Sequence, residues 1–547
     1  MSLHAQPIND IPEQTIAVAQ AAFPKGNVYM TMRDELGVFY TDEAFAELFS
    51  NRGQPAESPW RLALVTIMQF AENLTDRQAA DAVRSRIDSK YALGLELTDP
   101  GFHFSVLSDF RARLVAHEAT EQLLNAMLEQ FKTKGLIKVR GKQRTDSTPI
   151  LAAVQMLNRL EQVGETLRYT LNVLAEQVPA WLRAQVPTEW FERYGARFEQ
   201  YRLPTDRQER EALANTIGAD GYWLLTLIYD DRAPGHLREL TAVQILRTVW
   251  LQQVYIENNT VQWRDKHNLP PSERQIITPF DPEARYSHKR DTTWTGYKAH
   301  LTETCDDDFP CLITHVETTA ATRQDVEVVD PVHTSLAERD CLPSEHLMDM
   351  AYLSSDILVT SQRMGVDVVG PVRADTSWQA QTEGAFDLTC FEIDWDQQRA
   401  RCPMGKFSRY WHEKTGKHGK PNVNVGFDPK DCRGCEALAR CTRKTIFRAR
   451  HLTFPRREEF LALRAARERQ QTEAFNLQYQ ARAGVEGLIS QATVTLGMRR
   501  SRYRGQDKTH LQHVATAGAV NVMRAVNWLR GGLKAKTRIS TFAALAA

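Results

Sequence analysis

Residues 296–319 read GYKAHLTETCDDDFPCLITHVETT, two runs rich in β-branched and aromatic residues separated by CDDD. Two such runs about an acidic turn predict a β-hairpin. What surrounds the hairpin decides the fold class. After it come a helix-like segment (QDVEVVDPVHTSLAERD), a short strand (EHLMD), a helix (SSDILVTSQRMG) and an apolar strand (VDVVGPV). Before it, the period switches toward strand in LIKVRGKQRTDSTPI (136–150), with Asp146 directly at the strand's end. Strand, hairpin, helix, strand, helix, strand is a mixed α/β order.

The 547 residues suggest three or four domains at about 150 residues each, some inserted into others. Charged residues at 25% and hydrophobic residues at 42%, with no apolar run near the roughly 20 residues of a span, exclude a helical membrane protein. The start, MSLHAQPINDIPEQ, lacks the basic and apolar regions of a signal peptide, so a cytoplasmic location is expected. The net charge is zero, but its distribution is uneven: residues 441–547 hold 20 Lys and Arg against 6 Asp and Glu, and residues 1–60 hold 3 against 8. A basic surface of that kind neutralises phosphates, although it also occurs as a merely solvated face.

The N-terminal 1–133 reads as helical. WRLALVTIMQFAEN has helical spacing, and Thr75 and Gln78 are placed as a capping box for the next helix. Arg77, Arg84, Arg86, Arg111 and Arg113 fall outside the apolar stripes, as in a helix-turn-helix-like module; a bundle mediating protein contact fits the pattern as well. The α/β part, 134–530, is interrupted by a helical insertion at about 155–275 and a cysteine-rich, irregular insertion at about 377–453. A long helical stretch then runs from FPRREEF to TLGMRRSRYRG. HLQHVATAGAVNVMRAVNWL reads as a helix packed on the α/β core, and 531–547 is a basic tail.

Within the long helical stretch, YQARAGVEGLISQA (479–492) sets Tyr479, Arg482 and Glu486 within roughly 60° of one another at about 100° per residue. An Arg–Glu pair at this spacing is common on exposed helices. Gly484 and Gly487 flank the Glu, each costing roughly 0.8–1 kcal/mol of helix stability relative to Ala, and helical glycines can mark close approach by another group. Asp146, Asp349 and Glu486 come from separate elements, the arrangement that two-metal phosphodiester chemistry uses. Hard oxygen ligands favour Mg²⁺. An Asp at a strand end is, taken alone, more often a turn or cap residue.

Four of the eight cysteines are Cys402, Cys432, Cys435 and Cys441, in RCPMGK and DCRGCEALARC. Tetrahedral thiolate coordination of Zn²⁺ suits a polar segment with a small core. Only one C-x-x-C pair is present, so unmetallated thiols and an iron–sulfur cluster stay open as alternatives.

TDST at Asp146, DPEARYSHKRDTTWTGYKAH at 281–300, DMAY at Asp349 and Y-x-x-R-x-x-x-E at Tyr479, Arg482 and Glu486 stand in the order that resembles the DDE transposases of bacterial insertion sequences, of the insertion sequence family 1182 type. SPWRLALVTIMQFAENLTDRQAADAVRSRIDSKYALGL resembles the helical domain preceding the catalytic core in one branch of them. The resemblance implies a ribonuclease H-like catalytic core. It implies Mg²⁺ or Mn²⁺ held by Asp146, Asp349 and Glu486, with Tyr479 and Arg482 contacting DNA phosphates or positioning the Glu. The activity implied is cleavage at transposon ends and strand transfer into target DNA. The implied partners are double-stranded DNA and further copies of the chain, as a homodimer or higher assembly on the nucleoid. Related signatures often place a Lys seven residues after the Glu; Thr493 stands there, and Arg499 or Arg500 is the candidate replacement for that phosphate contact. Two rival readings are a catalytically inactive, transposase-derived DNA-binding protein and a metal-dependent nuclease without joining activity.

Overall fold

The computed structural model describes residues 2–534 except 155, 200, 202, 259, 266, 417, 418 and 444–448, together with 542 and 545. Most of the basic tail expected at 531–547 therefore lies outside the described residues. The chain divides into two compact units, one of Met1–Lys138, Ser147–Arg323 and Glu486–Ala547, the other of Val139–Asp146 and Gln324–Val485.

In the first unit, the helix Pro59–Ala71 is buried along nearly its whole length. The next helix, Asp76–Ser85, starts on a capping box in which Thr75 accepts the Gln78 N–H and the Gln78 side chain accepts the Thr75 N–H. The arginines expected on an open face are largely engaged within the unit. Arg111 is buried and donates to Asp76 at 2.6 Å, Arg86 pairs with Asp88 at 2.7 Å and with Glu72, and Arg77 lies over the Phe104 ring at 4.5 Å. A guanidinium taken from water needs such partners, so these side chains hold the helices together.

The helices Arg159–Gln177, Pro179–Gln185, Glu189–Gly195, Arg207–Ile228 and Thr241–Gln253, closed by the ribbon Val254–Glu257 and Thr260–Trp263, surround a core of their own that includes Leu167, Ile217, Leu224, Leu246 and Trp250. Gly221 is fixed by that packing, since a Cβ there would meet the Trp250 ring at 2.0 Å.

The sheet begins with β1 (Lys142–Leu151), whose first half belongs to the second unit and whose second half belongs to the first. In the first unit, β2 (Arg285–Lys289), β3 (Thr292–Thr304) and β4 (Ile313–Ala320) form an antiparallel meander, with Tyr297 opposite Ala320 and Arg285 opposite Gly296. β3 and β4 are the hairpin predicted from residues 296–319. The Ala152 N–H donates to Thr295 O at 3.0 Å beside β3. Gly296 has φ +152°, and a Cβ there would lie 2.2 Å from Ile150 O, so only glycine permits this approach. Trp294 and Tyr297 are buried within the hairpin: the indole donates to Tyr297 O at 3.1 Å, and the Tyr297 hydroxyl donates to buried Asp281 at 2.7 Å. The helix Gln506–Leu529 packs on Pro59–Ala71 and on β4. Its buried Asn521 accepts the Ile313 N–H at 2.7 Å and donates to Ile313 O at 2.8 Å.

In the second unit, the first half of β1 pairs in parallel with β5 (Glu345–Leu347), and β5 with β6 (Asp367–Val369). Helices Val329–Glu338 and Ser355–Arg363 stand before and after β5 in the chain, the order a parallel pair requires. A Cβ on Gly370 would lie 2.3 Å from Met348 O, which explains the glycine after β6.

The segment expected to be irregular contains an antiparallel sheet of Ser408–Thr415, Pro421–Phe427 and His451–Pro455, and a pair Glu392–Asp394 with Arg399–Arg401. Its core includes Phe391, Val423, Val425, Leu452 and Phe454, with Trp395 and Trp411 against it. The long helix is also several pieces: Arg457–Arg469, Glu473–Gln480 on a Thr472 cap, a 3₁₀ turn Ala481–Gly484, then Val485–Ser490 and a π turn Gln491–Thr495. A 3₁₀ turn advances about 120° per residue, so the even 100° stripe does not hold across it. Among the described residues no helix is long and apolar enough to cross a membrane.

Candidate active site

Asp146 is the fifth residue of the ten-residue β1, rather than a residue after the strand. It does stand just past the end of the parallel ladder, whose register is Lys142↔Glu345, Gln143↔His346 and Arg144↔Leu347. Asp349 follows Leu347 by two residues, as Asp146 follows Arg144. Side chains two apart on extended backbone share a face, so matched offsets from one registered pair bring both carboxylates to the same sheet end. Asp349 has extended backbone, φ −73° and ψ 159°, and caps the turn Met350–Tyr352 by accepting the Met350 N–H.

Arg482 shows that the two aspartates converge. Its Nη2 lies 2.7 Å from Asp146 Oδ2 and 3.9 Å from Asp349 Oδ2. The Arg482 and Asp146 side chains are only 15% and 16% exposed, whereas Asp349 is 42% exposed, so the pair has an inner carboxylate and a solvent-facing one. Arg482 Nε is buried without a hydrogen-bond partner. Tyr479 stacks on Phe475 at 5.6 Å; burial raises its hydroxyl pKa, Arg482 lowers it, and Asp349 and Asp146 raise it.

The support around this cluster was not foreseen from sequence. Buried Arg144 donates to Ala481 O, and its guanidinium fills the space where a side chain on Gly484 would go, 2.2 Å from an ideal Cβ. Gly484 therefore marks the close approach its sequence context suggested. Gly487 has nothing within 4 Å of an added Cβ, and its glycine has no packing reason. Behind Asp146, Thr145 Oγ1 and His346 Nε2 share a hydrogen bond at 2.7 Å, and His346 Nδ1 and His333 Nε2 another at 2.9 Å. Burial pushes His333 down to about 4. A His–His–Thr chain has no spacing signature, since it joins a helix and two parallel strands.

Glu486 belongs to the first unit and is exposed in the first turn of Val485–Ser490. Also in that unit, Arg499 donates to Thr148 Oγ1 at 2.8 Å and to Pro149 O at 2.6 Å, while Arg500 is exposed. Thr493 is buried and donates to Ile489 O at 2.7 Å, a position at which a lysine would bury its charge. Of the cysteines in the second unit, Cys441 is buried and Cys402, Cys432 and Cys435 are half-buried, all as free thiols. Among the described residues no three His, Cys, Asp or Glu side chains stand close enough together to hold a metal ion as a group.

The family described as Transposase DDE domain matches residues 401–526, and the Transposase domain (DUF772) matches residues 18–113. Both matched families are families of transposases. More particularly, the pair supports an insertion-sequence transposase of the DDE class. The first match takes in Tyr479, Arg482, Glu486 and the four cysteines, but not Asp146 or Asp349; the second takes in the arginines of the N-terminal helices. No curated protein and no solved structure matches the chain.

Proposed function

We propose that this transposase, of the insertion sequence family 1182 type, binds the ends of its element and catalyses metal-dependent DNA cleavage and strand transfer on a ribonuclease H-like core. The observation that carries the reading is the Arg482 guanidinium set against both Asp146 and Asp349. A cation already faces two carboxylates, one on β1 and one just past β5, so the donor set suits a divalent ion such as Mg²⁺ or Mn²⁺. Asp146 and Asp349 would hold it, with Glu486 supplying the third carboxylate. When bound, the ions activate the water or 3′-hydroxyl nucleophile and stabilise the leaving oxygen.

The chain's own residues then have distinct tasks. Asp146, the more buried carboxylate, is backed by the Thr145, His346 and His333 chain and keeps its position. Arg482 balances the two carboxylates and, once released from Asp146, is free to meet a scissile phosphate with its planar fork. Tyr479, its hydroxyl pKa raised by burial, stays protonated and donates beside it. Arg499 braces the end of β1 through Thr148 and Pro149, which leaves Arg500 as the better candidate for a DNA phosphate. The N-terminal helices would contact the transposon ends, and two or more copies would hold both ends on the nucleoid.

The test is cleavage of DNA carrying the sequences that flank the gene, under Mg²⁺ or Mn²⁺, with Asp349→Asn beside the wild type. The expected result is nicking by the wild type and DNA binding without nicking by the variant. Equal nicking by both would remove Asp349 from the site.

A further inference from the structure

The second unit holds a β segment with four cysteines, Cys402, Cys432, Cys435 and Cys441, carried on two loops and a short helix beside it. Cys402 opens a tight loop, Cys402-Pro403-Met404-Gly405-Lys406. The Cys402 N–H donates to Lys406 O at 2.8 Å, and the Gly405 N–H donates to Cys402 O at 2.8 Å. Gly405 has φ +81°, the left-handed conformation this turn needs. The Lys406 N–H then points back at the sulfur, 3.3 Å from Cys402 Sγ.

A second loop presents Cys432 and Cys435. The Cys435 N–H donates to Cys432 O at 3.2 Å, and the Leu438 N–H donates to Cys435 O at 3.1 Å, so both cysteines sit on one turn. Burial raises the Cys432 thiol, and the Arg450 backbone opposes that shift. Cys441 ends the short helix Leu438–Cys441. Cys402, Cys432 and Cys441 pack against the same apolar cluster, with Phe391, Ala400 and Phe427. Burial pushes the Cys441 thiol up to about 11, opposed by Arg450. Arg450 donates to Cys441 O at 2.8 Å, and its Nε is buried without a hydrogen-bond partner. A guanidinium in that position answers the negative charge of a thiolate set.

We propose that Cys402, Cys432, Cys435 and Cys441 bind one Zn²⁺ as a tetrahedral four-thiolate site that ties the two loops to the β segment. Four S–Zn bonds form as the four thiols release their protons to solvent, and no oxidant or reductant enters. As the side chains stand no three of them are close enough to hold an ion as a group, so binding requires them to move. Zinc needs only the thiolates present, whereas an iron–sulfur cluster also needs inorganic sulfide and iron. Cys390 is outside the set: it is exposed and donates to Asp387 at 3.5 Å.

The experiment is metal analysis of the full-length chain purified without a histidine tag, together with Cys402→Ser, Cys435→Ser and Cys390→Ser. The expected content is about one zinc per chain in the wild type and in Cys390→Ser, falling to near zero in the other two. Should the serine variants fail to fold, Co²⁺ exchanged into the wild type gives the second readout: intense thiolate-to-cobalt charge-transfer absorption and a tetrahedral visible spectrum. Wild-type protein with no zinc and no such absorption, zinc retained by both Cys402→Ser and Cys435→Ser, or iron with acid-labile sulfide in place of zinc would each overturn the proposal.

Discussion

Replacing Gly484 and Gly487 by alanine separates a glycine required by packing from one that is not. At Gly484 a Cβ would fall 2.2 Å from Arg144 Nη1 and 2.5 Å from Cζ, so the guanidinium must move. Arg144 is buried and donates to Ala481 O, and moving it disrupts a charge-assisted hydrogen bond worth about 1.5–3 kcal/mol. Crowding adds about 1–3 kcal/mol, and the better helix propensity of alanine returns about 0.8–1 kcal/mol. Because the movement that relieves crowding is the one that breaks the bond, these costs overlap, and the net loss is about 1–3 kcal/mol. At Gly487 nothing lies within 4 Å, so alanine should be neutral or stabilise by up to about 1 kcal/mol. Native-state hydrogen exchange over residues 473–495 is the assay. Gly484→Ala should speed exchange there by about 5- to 150-fold, and Gly487→Ala should leave it unchanged or slower. Wild-type exchange in Gly484→Ala, or identical behaviour of the two variants, would refute the packing argument.

Three further outcomes follow from the same structure. Arg482→Gln removes the cation that competes for Asp146, and Mn²⁺ titration by calorimetry should show tighter binding, by about tenfold or more for a charged hydrogen bond of about 1.5–3 kcal/mol; unchanged or weaker binding would count against a shared site. His333 is held down at about 4 by burial, against an ordinary value near 6.5, so between these pH values the unfolded chain binds a proton that the folded chain does not. Stability therefore falls as pH drops from about 6.5 to 4, by up to about 1.4 kcal/mol per unit, and His333→Asn should flatten that part of the urea-midpoint profile; an unchanged profile would exclude His333 as its source. Asn521→Ala strands the buried N–H and C=O of Ile313 at about 1–3 kcal/mol each, and β4 amides should exchange faster while those of β5 do not.

Much of the architecture was legible because it rests on local pattern. The β3–β4 hairpin, the Thr75–Gln78 capping box and the apolar final helix each have a period or a cap that short-range sequence states. The β structure of the cysteine-bearing segment was not legible, because Glu392–Asp394 and Arg399–Arg401 are three residues long and Ser408–Thr415 is largely polar and mostly exposed. Asp146 and Asp349 were found as candidate carboxylates, but their common placement rests on a parallel register between residues some two hundred positions apart. Arg482 was expected to contact DNA phosphates or position Glu486, and its contact with the two aspartates has no signal in that spacing. Arg111 looked like a surface arginine, and its burial depends on Asp76 in another helix, a pairing that helix periodicity does not encode.

The central claim is that Asp146, Asp349 and Glu486 drive both cutting and joining of DNA. The most direct measurement is strand transfer: DNA ends carrying the gene-flanking sequences, a second DNA as target, Mg²⁺ or Mn²⁺, and wild type beside Glu486→Gln. Joined product is expected with the wild type, and binding of the ends without cleavage or joining with the variant. Binding by both proteins with no cleavage or joining under either metal would contradict it and leave a DNA-binding protein, while cleavage without joined product would leave a nuclease.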